Sequence, residues 1–243
     1  MNNGQLAEII NYRNCNDIDI KFEDGVIRKG VRYDKFIEGK IKNLYALTIF
    51  GVACVGETNT IDKNSNVLPS YRCWYNMIQR CYNTKHSSYK SYGEKGVRVC
   101  EEWLCYKNFK KWYDHNIYQI EKERVCLDKD ILVRNNKMYS PETCIFVPER
   151  INLIFEMKDR KTNLPLGVCK NGNKYMSRIN DNGNVIYLGS FDTPEEAHEL
   201  YLKERLKIIK QLAKKYKHKI PKKLYDRLIE IGSYCNNCDG GDE

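Results

Sequence analysis

The stretch from Leu164 to Lys217, LPLGVCKNGNKYMSRINDNGNVIYLGSFDTPEEAHELYLKERLKIIKQLAKKYK, constrains the fold more than any other part of the chain. Three strand-like runs are separated by Asn-Gly pairs at Asn171-Gly172 and Asn182-Gly183, the strongest short-range signal for a hairpin. A helix start follows. Thr193 is placed to cap it, Pro194 falls at the first helical position, and Glu196 completes a capping box. Ala197, Leu200, Tyr201, Ile208 and Leu212 then form an apolar stripe. The pattern predicts a three-stranded antiparallel sheet braced by one helix.

Alternation along a strand sets which side chains share a face. Lys174, Met176, Arg178 and Asn180 are expected on one side, with Tyr175, Ser177 and Ile179 toward the helix. A ribbon of this kind in the major groove can present Arg to guanine and Asn to adenine edges. The helix continues through KERLKIIKQLAKKYKHKIPKKLYDRL, where only Glu204 and Asp226 oppose many Lys and Arg. Such a run is usually a solvated face, and its cations can also attract phosphate groups.

The unit resembles the ethylene-response-factor/apetala-type DNA-binding domain. The match rests on Gly167-Val168, Lys174 to Ile179, Tyr187-Leu188-Gly189-Ser190-Phe191 and Thr193-Pro194-Glu195-Glu196-Ala197 with Tyr201. The resemblance implies that the sheet enters the major groove of double-stranded DNA while the helix braces its back. It places Tyr187 on the DNA-facing surface, and the expected contacts are Lys170, Lys174, Arg178, Asn180 and Tyr187. Fewer arginines stand there than in the plant pattern, so low sequence specificity is expected. Net charge agrees with a polyanionic partner: the formal value is +9, and 18 tyrosines contribute to an aromatic content of 12%.

Upstream, DIDIKFEDGVIRKGVRYDKF alternates strictly, with Ile18, Ile20 and Phe22 on one face and Asp17, Asp19, Lys21 and Glu23 on the other. Asp24-Gly25 supplies a turn and Val26 to Tyr33 a return strand. Alone this piece buries little, so it is either a minimal β-barrel or an edge docked on the rest. It resembles small β modules of bacteriophage proteins that accompany DNA-processing domains. GETNTIDKNSNVLPS, from Gly56 to Ser70, reads as linker. An aromatic block follows, in which Trp74, Met77, Ile78 and Cys81 recur at helical spacing, as do Leu104, Asn108, Phe109 and Trp112. Trp74, Trp103 and Trp112 are read as core anchors. The expected organisation is α+β and multidomain: a small β module at 1–47, a linker at 48–70, a degenerate ββα-metal domain at 71–160, the sheet-and-helix unit at 161–217, and a basic then acidic tail at 218–243.

The middle domain carries the candidate chemistry. The fragments RCYN, YGEKGVRVCEEWL, NFKKW, LDKDIL, YSPETCIFVP and IN, between Trp74 and Asn152, together resemble a phage-encoded subgroup of His-Me finger (HNH) nucleases. The resemblance implies a strand, a loop rich in Asp and Asn, a second strand and a helix. It also implies one Mg or Mn ion on the leaving oxygen and a histidine that activates water. Here Leu127-Asp128-Lys129-Asp130 stands where that histidine is expected. Asp128 and Asp130 suit a Mg-type ion. Lysine ordinarily titrates near about 10.4, so Lys129 acts as a base only if desolvated or beside another cation, or else stabilises phosphorane charge while protonated. A regular strand would place both carboxylates on one face and Lys129 on the other. His115 is either a substitute base or a surface residue at a helix end. Asn135, Asn136 and Asn152 can donate a ligand or orient water, although Asn135-Asn136 reads first as a turn. Ser140-Pro141-Glu142 reads as a local cap.

Eleven cysteines in a chain that opens with the short polar run MNNGQLAEII argue for free thiols or metal ligands rather than a disulfide framework. Cys73, Cys81, Cys100, Cys105, Cys126 and Cys144 fall in the middle domain. Cys81, Cys100, Cys126 and Cys144 are the set weighed as a structural zinc site, against plain burial of free thiols. Cys235 and Cys238 form one C-x-x-C, half a metal site, in a polar tail. YALTIFGVACVG is too short to span a bilayer, and the expected location is the cytoplasm of a bacterial host, near the nucleoid. Two readings are open: a metal-dependent, homing-like DNA endonuclease with an altered site, or a non-catalytic DNA-binding regulator or antagonist of host functions built on the same scaffold.

Overall fold

The strand Asp17–Phe22 alternates in polarity and is paired on both edges. In a computed structural model that describes residues 5–155 and 163–233, β1 (Ala7–Asn14), β2 (Asp17–Phe22) and β3 (Ile27–Val31) form an antiparallel meander with β2 central. Ile18, Ile20, Phe22 and Val31 are buried in its core, with Phe36 of the short helix α1 (Tyr33–Ile37) and Ile41 packed against them. Asp19 points the other way yet is only 7% exposed. Its carboxylate is satisfied by Arg13, whose Nη2 lies 2.6 Å from Asp19 Oδ1 and 2.5 Å from Asp17 Oδ1, and by the Gly30 amide. The guanidinium holds both carboxyls below the usual range.

The chain divides into two compact units, residues 1–94 with 99–113, and residues 95–98 with 114–243. The first unit also holds α2 (Pro69–Tyr82), in which Trp74, Met77, Ile78 and Cys81 are all buried. Between α2 and α3 (Tyr106–Asn116) lies the two-residue strand β4 (Arg98–Val99). Trp74 Nε1 donates to the Trp103 carbonyl at 2.6 Å, and the hydroxyls of Ser70 and Tyr106 meet at 2.7 Å. Trp74 and Trp103 are fully buried, whereas Trp112 is only partly so. The expected linker is a closed loop: Ile61 bridges Val67, the Leu68 amide donates to Thr60, and Asp62 accepts from the amides of Asn64 and Asn66.

In the second unit β5 (Val125–Asp128) pairs antiparallel with β7 (Ile145–Pro148), and β6 (Met138–Tyr139) lies in the loop between them. Helix α4 (Glu149–Phe155) follows β7 directly. Next come β8 (Val168–Asn171), β9 (Lys174–Asp181) and β10 (Asn184–Phe191), a sheet with β9 central. The long helix α5 (Pro194–Tyr216) and α6 (Lys222–Ser233) complete the unit. Thr193 caps α5, its hydroxyl accepting from the Glu196 amide at 3.3 Å. One core serves all of these elements. Ile145, Val147, Ile151 and Ile154 pack in the same cluster as Ile179, Tyr201, Ile209, Leu212, Leu224 and Leu228. The boundary expected at 160/161 is therefore not a break in packing.

The architecture is α+β, with several small antiparallel sheets and six α-helices among the described residues. Residues 222–233, expected as tail, are helical because Leu224 and Leu228 recur at i, i+4 and bury against α5. The apolar stripe of α5 keeps Ala197, Tyr201 and Leu212 buried but passes through Ile209 rather than Ile208. Cys235 and Cys238 lie outside the described residues.

Candidate functional site

The β8–β10 sheet has one buried and one open side. Ser177 and Ile179 face the core, and each of Lys174, Arg178, Asn180 and Tyr187 is exposed, as the alternation predicts. Arg178 stands opposite Tyr187, Asn180 opposite Val185 and Asn171 opposite Lys174. Tyr187 is 60% exposed. Lys174 Nζ lies 3.2 Å from Asp192, and Asn180 Oδ1 accepts from the Gly183 amide at 2.9 Å. The Arg178 side chain has no hydrogen bond or ion pair among the described residues. Tyr187 stays outside and Leu188 packs inward against the core, and a bulge between Tyr187 and Gly189 then sets Gly189 opposite Ser177.

Lys170 requires a correction. It pairs with Tyr175, and residues directly opposite in an antiparallel ladder share a face. It therefore belongs to the helix side of the sheet and not with Arg178, and it is exposed because β8 is an edge strand. The two central residues of the turn are Gly172 and Asn173, with Gly172 at φ +60°. A turn centred on Asn171-Gly172 would pair Lys170 with Asn173, on the same face as Tyr175, so Lys170 falls on the helix side in either register. The basic run of α5 does not share the open face either, because α5 lies on the buried side of the sheet. One of its cations is structural: Arg205 Nε donates to the Ile154 carbonyl at 3.2 Å, the guanidinium lies over Phe155, and burial lowers its pKa.

The loop after β5 holds the other candidates. Strand geometry stops at Asp128, so the expected alternation through Asp130 does not apply. The Asp128 carboxylate accepts from the amides of Asp130 at 2.8 Å and Ile131 at 2.7 Å. Burial nevertheless pushes the Asp128 carboxyl above its ordinary value, the two amide bonds offsetting part of the rise. Lys129 is only 6% exposed. Its ammonium donates to both Asp130 oxygens and to the Asn136 carbonyl, each at 2.7 Å. Asn136 closes the loop: Nδ2 donates to the carbonyls of Lys129 and Met138, and Oδ1 accepts from the Met138 amide. Asn135 beside it is left-handed at φ +57°. Ser140 caps no helix; its carbonyl accepts from the Cys144 amide and its hydroxyl meets Thr143, closing a turn.

His115 is exposed in the last turn of α3. Among the described residues, no three His, Cys, Asp or Glu side chains gather as a metal-binding group. Asp128, Asp130 and His115 do not converge in that way, nor do Cys81, Cys100, Cys126 and Cys144. Cys81 and Cys144 are buried and the other two partly so, and all nine described cysteines are unbridged. Two polar links inside this unit join residues too far apart in the chain for any local pattern to signal them. Tyr216 donates to Glu123, and Arg150 Nη2 contacts both Asp181 oxygens at 3.1 Å.

No protein-family model matches the chain, and neither a curated protein nor a solved structure matches it. No helix among the described residues is long and apolar enough to cross a membrane.

Proposed function

We propose that this chain is a sequence-tolerant binder of double-stranded DNA, of phage or mobile-element type, that lays the open side of β8–β10 in the major groove. The observation that carries this reading is the uncommitted guanidinium of Arg178 beside exposed Tyr187, at the centre of a sheet whose back is buried on α5. Arginine is the side chain best suited to guanine edges or phosphates, and a tyrosine offers an apolar ring beside it. The strand and helix order supports the resemblance to apetala-type domains. With Lys170 on the other face, the open side carries few cations, which favours tolerance over stringent readout. On this reading β5, β7 and α4 are scaffold, since Lys129 and Asp128 are each committed to the loop's own hydrogen bonds.

A second reading is a metal-dependent, homing-like endonuclease. The chain order β5, β7, α4 favours it. Mg or Mn would then sit at Asp128 and Asp130. One experiment separates the two. Purified protein is titrated with a mixed-sequence duplex at several salt concentrations, and then incubated with supercoiled plasmid and Mg or Mn over a wide pH range. Binding without nicking supports the scaffold reading. Nicking that Asp128→Asn abolishes in a folded protein supports the nuclease, and failure to bind duplex in dilute buffer overturns both.

A further inference from the structure

The geometry points to Cys54 and Cys105 as a dithiol site that a hydroperoxide converts into an intrachain disulfide. The two residues are partners in an isolated parallel bridge, flanked by backbone bonds from Cys54 N to Leu104 O at 3.0 Å and Tyr106 N to Cys54 O at 2.9 Å. Parallel neighbours lie about 4.8 Å apart, inside the roughly 4.4–6.8 Å Cα span that a disulfide requires. Residues paired across a bridge project their side chains to the same side, so the two thiols are neighbours, and Cys105 is among the groups that raise the Cys54 thiol. Gly56 makes room for this: at φ +72°, a Cβ there would stand 2.8 Å from Cys105 Sγ. Neither thiol is used by the sheet or the loop described above.

The two sulfurs differ in access, which orders the steps. Cys54 is buried, and its thiol is pushed up to about 12, first by burial and then by Cys105. Cys105 is partly exposed at the start of α3. The Cys105 sulfur therefore attacks the peroxide first. The O–O bond breaks, one oxygen leaves as water or an alcohol after taking the thiol proton, and Cys105 becomes a sulfenic acid. The Cys54 sulfur then displaces that oxygen; the S–O bond breaks, the departing hydroxide takes the Cys54 proton, and the S–S bond forms. Two thiols lose two electrons, and the peroxide is reduced by the same two. The product closes a loop containing α2 and fixes residues 53–56 against the start of α3.

The test uses the full chain. Protein is treated with graded hydrogen peroxide, capped with an alkylating reagent, digested and mapped by mass spectrometry, with exposed Cys15 as an internal reference. The expected result is a linked Cys54–Cys105 peptide that dithiothreitol removes. In Cys54→Ala the linked peptide is lost and Cys105 carries a dimedone adduct, the mark of a sulfenic acid. In Cys105→Ala, Cys54 stays fully alkylated. The wild-type map needs no variant to fold. Alkylation of both Cys54 and Cys105 at peroxide levels that oxidise Cys15 would overturn the inference, as would linkage of Cys105 to another cysteine.

Discussion

The phenol of Tyr216, the last residue of α5, donates to Glu123 Oε2 at 2.6 Å, just ahead of β5. Oε1 of the same carboxylate accepts, at 3.4 Å, from the Arg150 amide at the start of α4. One carboxylate thus ties the β5–β7–α4 segment to the helix that braces the β8–β10 sheet. Tyr216 is 1% exposed, and burial beside Glu123 raises its phenol above the ordinary value, so it remains a neutral donor. Together with the shared core, this contact joins the segment and the sheet in one compact unit.

Tyr216→Phe keeps the ring and deletes the donor. A hydrogen bond to a charged group contributes roughly 1.5–3 kcal/mol, and that is the expected loss. Chemical denaturation of the second unit measures it, with exposed Tyr187→Phe as the control expected to change stability little. Equal effects from the two substitutions would remove Glu123 as a tie between segments.

Gly167 opens β8 where the chain passes the ring of Tyr201. Its φ is +84°, and a Cβ there would lie 2.1 Å from ring atoms. Gly167→Ala must strain the backbone and displace a buried ring, for an expected cost of about 2–5 kcal/mol. Gly172, also at positive φ but with nothing near its missing Cβ, should cost about 1–2 kcal/mol when changed to Ala. Thermal unfolding of the pair gives the comparison, and a Gly172→Ala loss as large as that of Gly167→Ala would deny the close approach to Tyr201.

Asp128 gives a pH-dependent prediction whose sign is opposite to the usual carboxylate case. Its folded-state value is raised, chiefly by burial. The group then contributes stability that is fully present below the unfolded value and is lost as pH rises through the folded one. Asp128→Asn retains an oxygen for the amides of Asp130 and Ile131 and removes the desolvated charge. The expected outcome is a higher melting temperature for the variant at neutral pH, with the gap closing toward acid pH. A lower melting temperature at neutral pH would show that the amides favour the ionised carboxylate more than burial opposes it.

How much of this was legible in the sequence follows from how local each signal is. Thr193 and Pro194 mark the start of α5 within one turn of chain, and Asn182-Gly183, both at positive φ, fixes the β9–β10 hairpin. The first strand, AEIINYRN, escaped notice because Ile9, Ile10 and Tyr12 are all exposed and show no alternation. The burial of Lys129 has no local signal, since its ammonium is satisfied by the Asn136 carbonyl seven residues on, which only the closed loop delivers. The bridge between Cys54 and Cys105 spans too much sequence for any spacing rule. The face of Lys170 follows from the β8–β9 register, and a turn at either Asn171-Gly172 or Gly172-Asn173 sets it with Tyr175 rather than with Arg178.

That register yields the sharpest expectation for the DNA-binding proposal. Arg178 and Lys170 are both exposed, but they lie on opposite faces of the sheet. If the open face meets duplex, Arg178→Ala removes either a base contact or a phosphate contact, costing about 1–3 kcal/mol, or roughly 5- to 150-fold in affinity. Loss of one phosphate contact also reduces the salt slope by about one. Lys170→Ala keeps most of the affinity, because the site loses only long-range charge. Fluorescence anisotropy with a labelled duplex, repeated over a salt series, reads both quantities. Equal losses for the two substitutions would mean that binding follows net charge alone, with no preference for the Arg178 and Tyr187 face.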